Sequence, residues 1–143
     1  MTQTPLTING IALAPGSRTT IDLPLAPLYT HAPLTMPVHV IRGRKPGASL
    51  FVSAAIHGDE LNGVEVIRRL LRHTALKRLH GTLVAIPIVN IHGFLDRSRY
   101  LPDRRDLNRS FPVSKKGSLT SRVANVFMHE LVSHASQGID LPT

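Results

Sequence analysis

Residues 49–63 read SLFVSAAIHGDELNG, and this stretch decides how the chain folds. Residues 50–56 form a continuous apolar run, as expected for a strand that is covered on both faces. After His57 and Gly58, apolar residues recur at helical spacing, at Leu61, Val64, Ile67, Leu70 and Leu71. Asp59 is a suitable N-cap for that helix. The stretch therefore predicts a buried strand that turns into a helix just after His57.

The sequence downstream repeats the pattern. Residues 82–89 predict a second buried strand that ends at Asn90, so a strand, a helix and a strand follow one another. This order is typical of a parallel sheet with helices on both faces. Residues 91–117 lack periodicity and predict a long polar loop. A helix capped by Ser118 or Thr120 and closed by Gly138 should follow, and residues 139–141 begin a third strand.

The first 48 residues differ from the rest of the chain in composition, because proline recurs and the apolar stretches are short. Recurrent proline excludes long helices and favours short strands joined by turns. We predict a β-rich N-terminal segment over residues 1–48, ending at a turn at 45–47, and an α/β domain over residues 49–143. The predicted fold class is α/β, with an incomplete, mostly parallel sheet and flanking helices.

Composition restricts the possible functions. The chain has 143 residues, which allows one domain with at most a small appendage, and 17 Lys and Arg against 9 Asp and Glu give a net charge of +8. That charge suits nucleic acid, an anionic membrane surface or a small acidic ligand. There is no cysteine, so disulfides and thiolate zinc sites are excluded. No apolar run is long enough to span a bilayer and no leader is visible, which predicts a cytoplasmic protein.

Two groups of residues could carry chemistry. His57 and Glu60 stand where a buried strand becomes a helix, and imidazole and carboxylate are both good zinc ligands. Taken alone, they are more simply explained as a strand-end histidine and a favourable helix charge. Asn108 and Arg109 could hold a carboxylate, because the guanidinium forms a two-point fork. Taken alone, they are more simply explained as part of a solvated charged loop.

Together the two groups resemble a known family. The motifs are HGDELNG at 57–63, PIVN at 87–90 and RYLPDRRDLNRSFP at 99–112. Their order and spacing closely resemble the succinylglutamate desuccinylase and aspartoacylase family, a branch of the zinc-carboxypeptidase-like hydrolases. The resemblance implies a zinc-dependent deacylase that hydrolyses the amide of an N-acylated amino acid or a related acyl bond. It makes His57 and Glu60 zinc ligands, Arg99 the catalytic oxyanion stabiliser, and Asn108 and Arg109 the residues that bind the substrate carboxylate.

Two departures from the family pattern limit what the resemblance implies. The third zinc ligand of the family is a histidine in an Asp-Leu-His-Thr stretch, and here Pro142 takes its place between Leu141 and Thr143. The family's general-base glutamate lies further along the sequence than residue 143. A zinc site with two protein ligands and no base should bind metal weakly and turn over poorly. We therefore expect a truncated and inactive hydrolase.

Two other functions stay open at this stage. One is a true zinc carboxypeptidase, which also uses zinc and an arginine for a carboxylate. The other is a non-catalytic module that binds an anion or nucleic acid, which is disfavoured because acids interleave with the basic residues of 96–116. The expected partner is a small acidic N-acyl amino acid, not nucleic acid or a membrane. Self-association is expected if the sheet leaves an edge exposed.

Overall fold

The computed structural model describes residues 5–25, 34–100, 103–107, 118–131 and 134–142. The strands in these ranges are β1 (Leu6–Ile8), β2 (Ile11–Leu13), β3 (Arg18–Leu25), β4 (Leu34–Arg42), β5 (Lys45–Ala54), β6 (His80–Ile86) and β7 (Gln137–Leu141). The α-helices are α1 (Asn62–Leu70), α2 (Ile91–Asp96) and α3 (Leu119–Val126). A 3₁₀ helix (Thr74–Arg78) follows α1, and a π-helical turn (Phe127–Leu131) continues α3. In the described ranges, no helix is both long and apolar enough to cross a membrane.

Five strands form one mixed sheet in the order β3-β4-β6-β5-β7. The strand β5 pairs in parallel with β6 on one side and with β7 on the other, whereas β4 is antiparallel to both β3 and β6. The predicted α/β class with flanking helices and a small β-rich N-terminal segment is confirmed. The parallel pair of β5 and β6 is built from the two buried runs that the sequence identified.

A separate hairpin of β1 and β2 precedes the sheet. Its turn consists of Asn9 and Gly10, which both have positive φ angles, of 51° and 74°. Two such residues in succession match the type I′ turn that favours Asn-Gly, because its twist matches that of the strands. This local sequence signal accounts for the hairpin, which precedes the main sheet along the chain.

The sheet buries side chains on both faces, as continuous apolar strands require. On one face, Ile67 and Leu71 at the end of α1 pack with Val52 and Ala54 of β5. On the other face, α3 and the π-helical turn pack against Val84 and Ile86 of β6, through Val123, Phe127 and Leu131. Alternate residues of β5 and β6 therefore serve two different cores. The α-helices α1 and α3 lie on opposite faces of the sheet.

The N-terminal segment is part of the main sheet, because β3 pairs with β4 along its whole length and β4 pairs with β6 over His39–Arg42. The predicted turn at 45–47 is wrong: Lys45 begins β5, and the register with β6 shifts between Lys45 and Ser49. Gly43 and Arg44 connect β4 to β5 instead. The division into 1–48 and 49–143 stays a prediction.

Several local predictions need correction. Asp59 does not cap α1, since the helix begins after Leu61 without a side-chain cap. The predicted loop after Asn90 begins with α2, a helix too short to produce visible periodicity. Ser118 caps α3 as predicted, through a hydrogen bond from the Ser121 amide. Gly138 does not close a helix but lies in β7, where a Cβ atom would meet the ring of Phe51 at 2.0 Å.

Candidate active site

The site lies at the carboxyl ends of the parallel strands, where open α/β sheets place their ligands. His57 follows β5 by three residues and is 5% exposed. Before it, Ala55 has a φ angle of 53°, a left-handed conformation that is uncommon for a residue with a Cβ atom. The amides of Val89 and Asn90 donate to the carbonyls of Ala54 and Ala55, both at 3.0 Å. These bonds hold the segment after β6 alongside the bend that presents His57.

The imidazole of His57 is held between two carboxylates. Its Nδ1 atom lies 2.8 Å from Oε1 of Glu60, and its Nε2 atom lies 2.8 Å from Oδ1 of Asp106. Burial acts to lower the pKa of His57, but the hydrogen bonds and charges of Glu60 and Asp106 outweigh it and raise the pKa above 6.5. The ring is thus fixed in orientation by a partner on each nitrogen.

The donor set suits a metal ion at one side of this ring. Glu60 has a second oxygen, Oε2, that is buried and has no hydrogen-bond partner among the described residues. A buried carboxylate oxygen without a partner is costly, and a cation would satisfy it. Nδ1 of His57 faces the same carboxylate, whereas Nε2 is taken by Asp106. The chemistry of His57 and Glu60 therefore fits a metal ion, which His57 would bind through Nδ1.

Three ligands are not assembled in the described part of the chain. No group of three or more His, Cys, Asp or Glu side chains there is arranged to hold a metal ion. Pro142 directly follows β7, whose last residue, Leu141, pairs with Ala54 at the end of β5. Pro142 thus stands at the same sheet edge as His57 but carries no ligating atom in its side chain.

Arg99 reaches the site through Asp106. A terminal guanidinium nitrogen (Nη2) of Arg99 lies 3.3 Å from Oδ2 of Asp106, whose other oxygen accepts from His57. Asp106 is nearly buried, whereas the side chain of Arg99 is 44% exposed. The side chain of Arg99 is therefore anchored to the carboxylate at one guanidinium nitrogen and stays partly exposed to solvent.

Asn90 is fully buried and connects the bend before His57 with α2 and Arg99. Its Oδ1 accepts from the Gly93 amide at 2.9 Å and so caps α2. Its Nδ2 donates to the carbonyl of Ile56 at 3.3 Å and to that of Arg99 at 3.5 Å. One side chain thereby fixes the residue before His57, the start of α2 and the backbone of Arg99.

Close backbone packing adds to this arrangement. A Cβ atom at Gly58 would lie 2.0 Å from the carbonyl carbon of Gly93, so only glycine fits there. The bend that carries His57 and Glu60 is consequently in direct contact with α2. Arg97 ends that helix in a left-handed conformation with a φ angle of 51°, which turns the chain toward Arg99.

The structure brings together three of the five residues that the sequence selected, His57, Glu60 and Arg99. Asn108 and Arg109 lie outside the described residues. Sequence reasoning did not assign a role to Asp106 or Asn90, which join the three selected residues to one another. Both residues stand at positions that the sequence marks, since Asn90 ends an apolar strand and Asp106 lies within the motif that ends in Asn108 and Arg109. The contacts they make join residues that are far apart along the chain, and the sequence does not reveal such contacts.

Comparison with known proteins identifies the family. The family model of the succinylglutamate desuccinylase/aspartoacylase catalytic domain matches residues 46–143. A curated relative, the N-alpha-acetyl-L-2,4-diaminobutyric acid deacetylase of Halomonas elongata, is 30% identical over 107 residues, which are 74% of this chain and 31% of the relative.

Solved structures agree with this assignment. An aspartoacylase family protein from Mesorhizobium loti is 28% identical with a TM-score of 0.77, over 90% of this chain and 40% of the other. The product-bound ectoine utilization protein EutE (DoeB) from Ruegeria pomeroyi is 27% identical with a TM-score of 0.77, over 96% of this chain and 42% of the other. The chain thus spans about a third to two-fifths of the length of these relatives. Because the family model covers more than half of its residues, the chain belongs to the succinylglutamate desuccinylase/aspartoacylase family of hydrolases.

Proposed function

We propose that this site is part of a zinc-dependent deacylase that hydrolyses the amide bond of an N-acylated amino acid. The observation that supports it is the convergence of His57, Glu60 and Arg99 at one sheet edge, in a member of a deacylase family. The deacetylase from Halomonas elongata is named for an N-acetylated diamino acid, which supports this substrate class. The reaction adds water across the amide and yields a carboxylate and an amine.

The two proposed zinc ligands are Nδ1 of His57 and the carboxylate of Glu60. Asp106 accepts from Nε2 and so keeps the ring orientation in which Nδ1 points at Glu60. Carboxylates that bind the far nitrogen of a ligating histidine typically change metal affinity by about 10- to 100-fold. When bound, zinc would supply a Lewis acid and a water acidic enough to act as hydroxide near neutral pH.

Arg99 is proposed to stabilise the oxyanion that develops as water adds to the amide carbonyl. Its exposed donors provide positive charge beside His57 and Glu60, and such charge is most effective when it is held in place before reaction. Asp106 holds it there through the side chain, and Asn90 makes a weaker contact with its backbone carbonyl at 3.5 Å. Asn108 and Arg109 are proposed to bind the substrate carboxylate.

We further propose that the 143-residue chain by itself binds zinc weakly and is inactive. Pro142 stands at the edge position that corresponds to the family's third ligand, and two protein ligands are fewer than the three typical of catalytic zinc sites. A small acidic N-acyl amino acid is the proposed partner, rather than nucleic acid or a membrane, and self-association through an exposed sheet edge stays a prediction. The cytoplasm stays the predicted compartment.

Zinc titration of Pro142→His tests the metal site. Competition with a chromogenic chelator should give a zinc affinity about tenfold or more above that of the unmodified chain, because a third ligand is added. Gln137→His is the matched control, since Gln137 is exposed at the far end of the same strand. The combination of Pro142→His with His57→Ala should lose the gain. Equal affinities of Pro142→His and Gln137→His would contradict the assignment.

Hydrolysis assays test the reaction class. Amine release from N-alpha-acetyl-L-2,4-diaminobutyric acid and from N-succinylglutamate should be slow but measurable with zinc-loaded Pro142→His, and absent with the unmodified chain. Arg99→Ala added to Pro142→His should abolish it while zinc affinity stays within about twofold, since Arg99 is not a ligand. Faster cleavage of a dipeptide than of both N-acyl amino acids would favour the carboxypeptidase alternative.

A further inference from the structure

A cavity lies at the opposite end of β5 from His57. Its volume is about 600 Å³, and its walls are the turn before β3, the connection from β4 to β5, and the end of α1 with the following 3₁₀ helix. The ten residues of β5, at about 3.3 Å each, separate the two ends of the strand by about 30 Å. This cavity is therefore distinct from the candidate active site.

Basic side chains dominate the wall of the cavity. They are Arg18, Arg42, Arg44, Arg72, His73 and Lys77. No described residue in the wall is Asp or Glu. Five formal positive charges around one small volume repel one another, and this arrangement attracts negative charge from solution.

Two of these cations are held in place by hydrogen bonds to backbone carbonyls. Arg42 is 5% exposed and donates from Nη1 to the carbonyl of Leu13 at 2.7 Å. Arg18 donates to the carbonyl of Leu71. The stem of Arg44 lies over Gly16, where an added Cβ atom would come within 3.0 Å of its Cγ. A binding site with preorganised donors loses less side-chain entropy when a ligand binds.

The C-terminal end of α1 explains only part of this cluster. The exposed carbonyls at a helix C-terminus attract cations, which accounts for Arg18 and Arg72. Arg44 lies between two strands, outside the reach of that explanation. Within the described ranges, no carboxylate forms an ion pair with Arg44, Arg72 or Lys77, in contrast to Arg68 and Arg69, which share Glu65 on the outer face of α1. Their charge is therefore available to a ligand.

We propose that this cavity binds a small polyanion that carries phosphate groups or several carboxylates. A volume of about 600 Å³ suits a small molecule and is within the range of ordinary ligand sites. Guanidinium groups bind phosphate and carboxylate oxygens by paired hydrogen bonds, and Lys77 adds a mobile point charge. The site is separate from the proposed zinc chemistry and does not depend on it.

Titration with pyrophosphate and with citrate tests the proposal. Isothermal calorimetry on the 143-residue chain at constant ionic strength should give saturable one-to-one binding of at least one of them, and acetate should not bind. The NMR signal of the His73 ring should move along the same curve, because His73 lines the cavity. Pyrophosphate binding without citrate binding identifies a phosphate ligand, and the reverse identifies a polycarboxylate.

Charge-matched variants decide whether the cavity is the site. Arg44→Ser with Lys77→Ser should weaken binding about tenfold or more, because charge-assisted hydrogen bonds are lost. Arg78→Ser with Arg122→Ser removes the same charge outside the cavity, and affinity should stay within about twofold. Equal losses in both pairs, absence of saturable binding, or binding of a single-stranded oligonucleotide but neither small anion would overturn the proposal.

Discussion

Replacement of Asn90 by alanine should destabilise the protein more than the loss of an ordinary helix cap. The side chain is fully buried and serves three backbone groups, at Gly93, Ile56 and Arg99. Loss of the cap of α2 costs about 1 kcal/mol. The unsatisfied carbonyl of Ile56 adds about 1–3 kcal/mol, whereas the 3.5 Å contact with Arg99 adds little. The expected loss in free energy of unfolding is about 2–4 kcal/mol.

Urea unfolding followed by circular dichroism measures this loss, and two further variants interpret it. Ser118→Ala removes the partly exposed cap of α3 and should cost about 1 kcal/mol. Asn90→Asp keeps a cap acceptor but places a carboxylate against the carbonyls of Ile56 and Arg99, so it should be at least as damaging as alanine. If Asn90→Ala costs no more than Ser118→Ala, or if Asn90→Asp is neutral, then Asn90 does not stabilise these backbone groups as proposed.

Two further predictions concern the segments around the site. Burial acts to raise the pKa of Asp103, but hydrogen bonds from the side chain and amide of Thr120 hold it below 3.8. The ionised carboxylate of Asp103 therefore stabilises the folded protein fully above about pH 3.8, and this contribution is lost as the pH falls through the lower pKa of the folded state. The urea midpoint of Asp103→Asn should consequently decline less than that of the unmodified protein between about pH 5 and 2. Gly58→Ala should cost about 3 kcal/mol or more in thermal unfolding, because its Cβ would overlap the backbone of Gly93. Gly10→Ala is the control, because Gly10 has a φ angle of 74° but an added Cβ would meet no atom within 4 Å. It should cost only about 1 kcal/mol. Equal losses for Gly58→Ala and Gly10→Ala would contradict the overlap with Gly93.

Local sequence signals predicted most of the fold. Continuous apolar runs predicted β6 and the second half of β5, and helical spacing predicted α1, because burial on both faces leaves a pattern that a short window can reveal. The six residues of α2 escaped this reasoning, since less than two turns cannot establish a period. The strand β7 was predicted only in part, because a glycine such as Gly138 can either end a helix or lie within a strand. Its close approach to the ring of Phe51, which places it in the strand, is a tertiary contact.

The sequence by itself determined the α/β class, the family and the residue types that the chemistry needs. It could do so because strand and helix periodicity are local, and because the motif keeps His57, Glu60 and Arg99 in a specific order. Only the tertiary structure decided that Asp106 lies between His57 and Arg99, and that Asn90 fixes the bend and the loop at once. It also placed Pro142 at the edge of the site and gathered Arg18, Arg44 and Lys77 around a cavity at the far end of β5. These contacts join residues that are far apart along the chain, so they exist only once the parallel strands are paired.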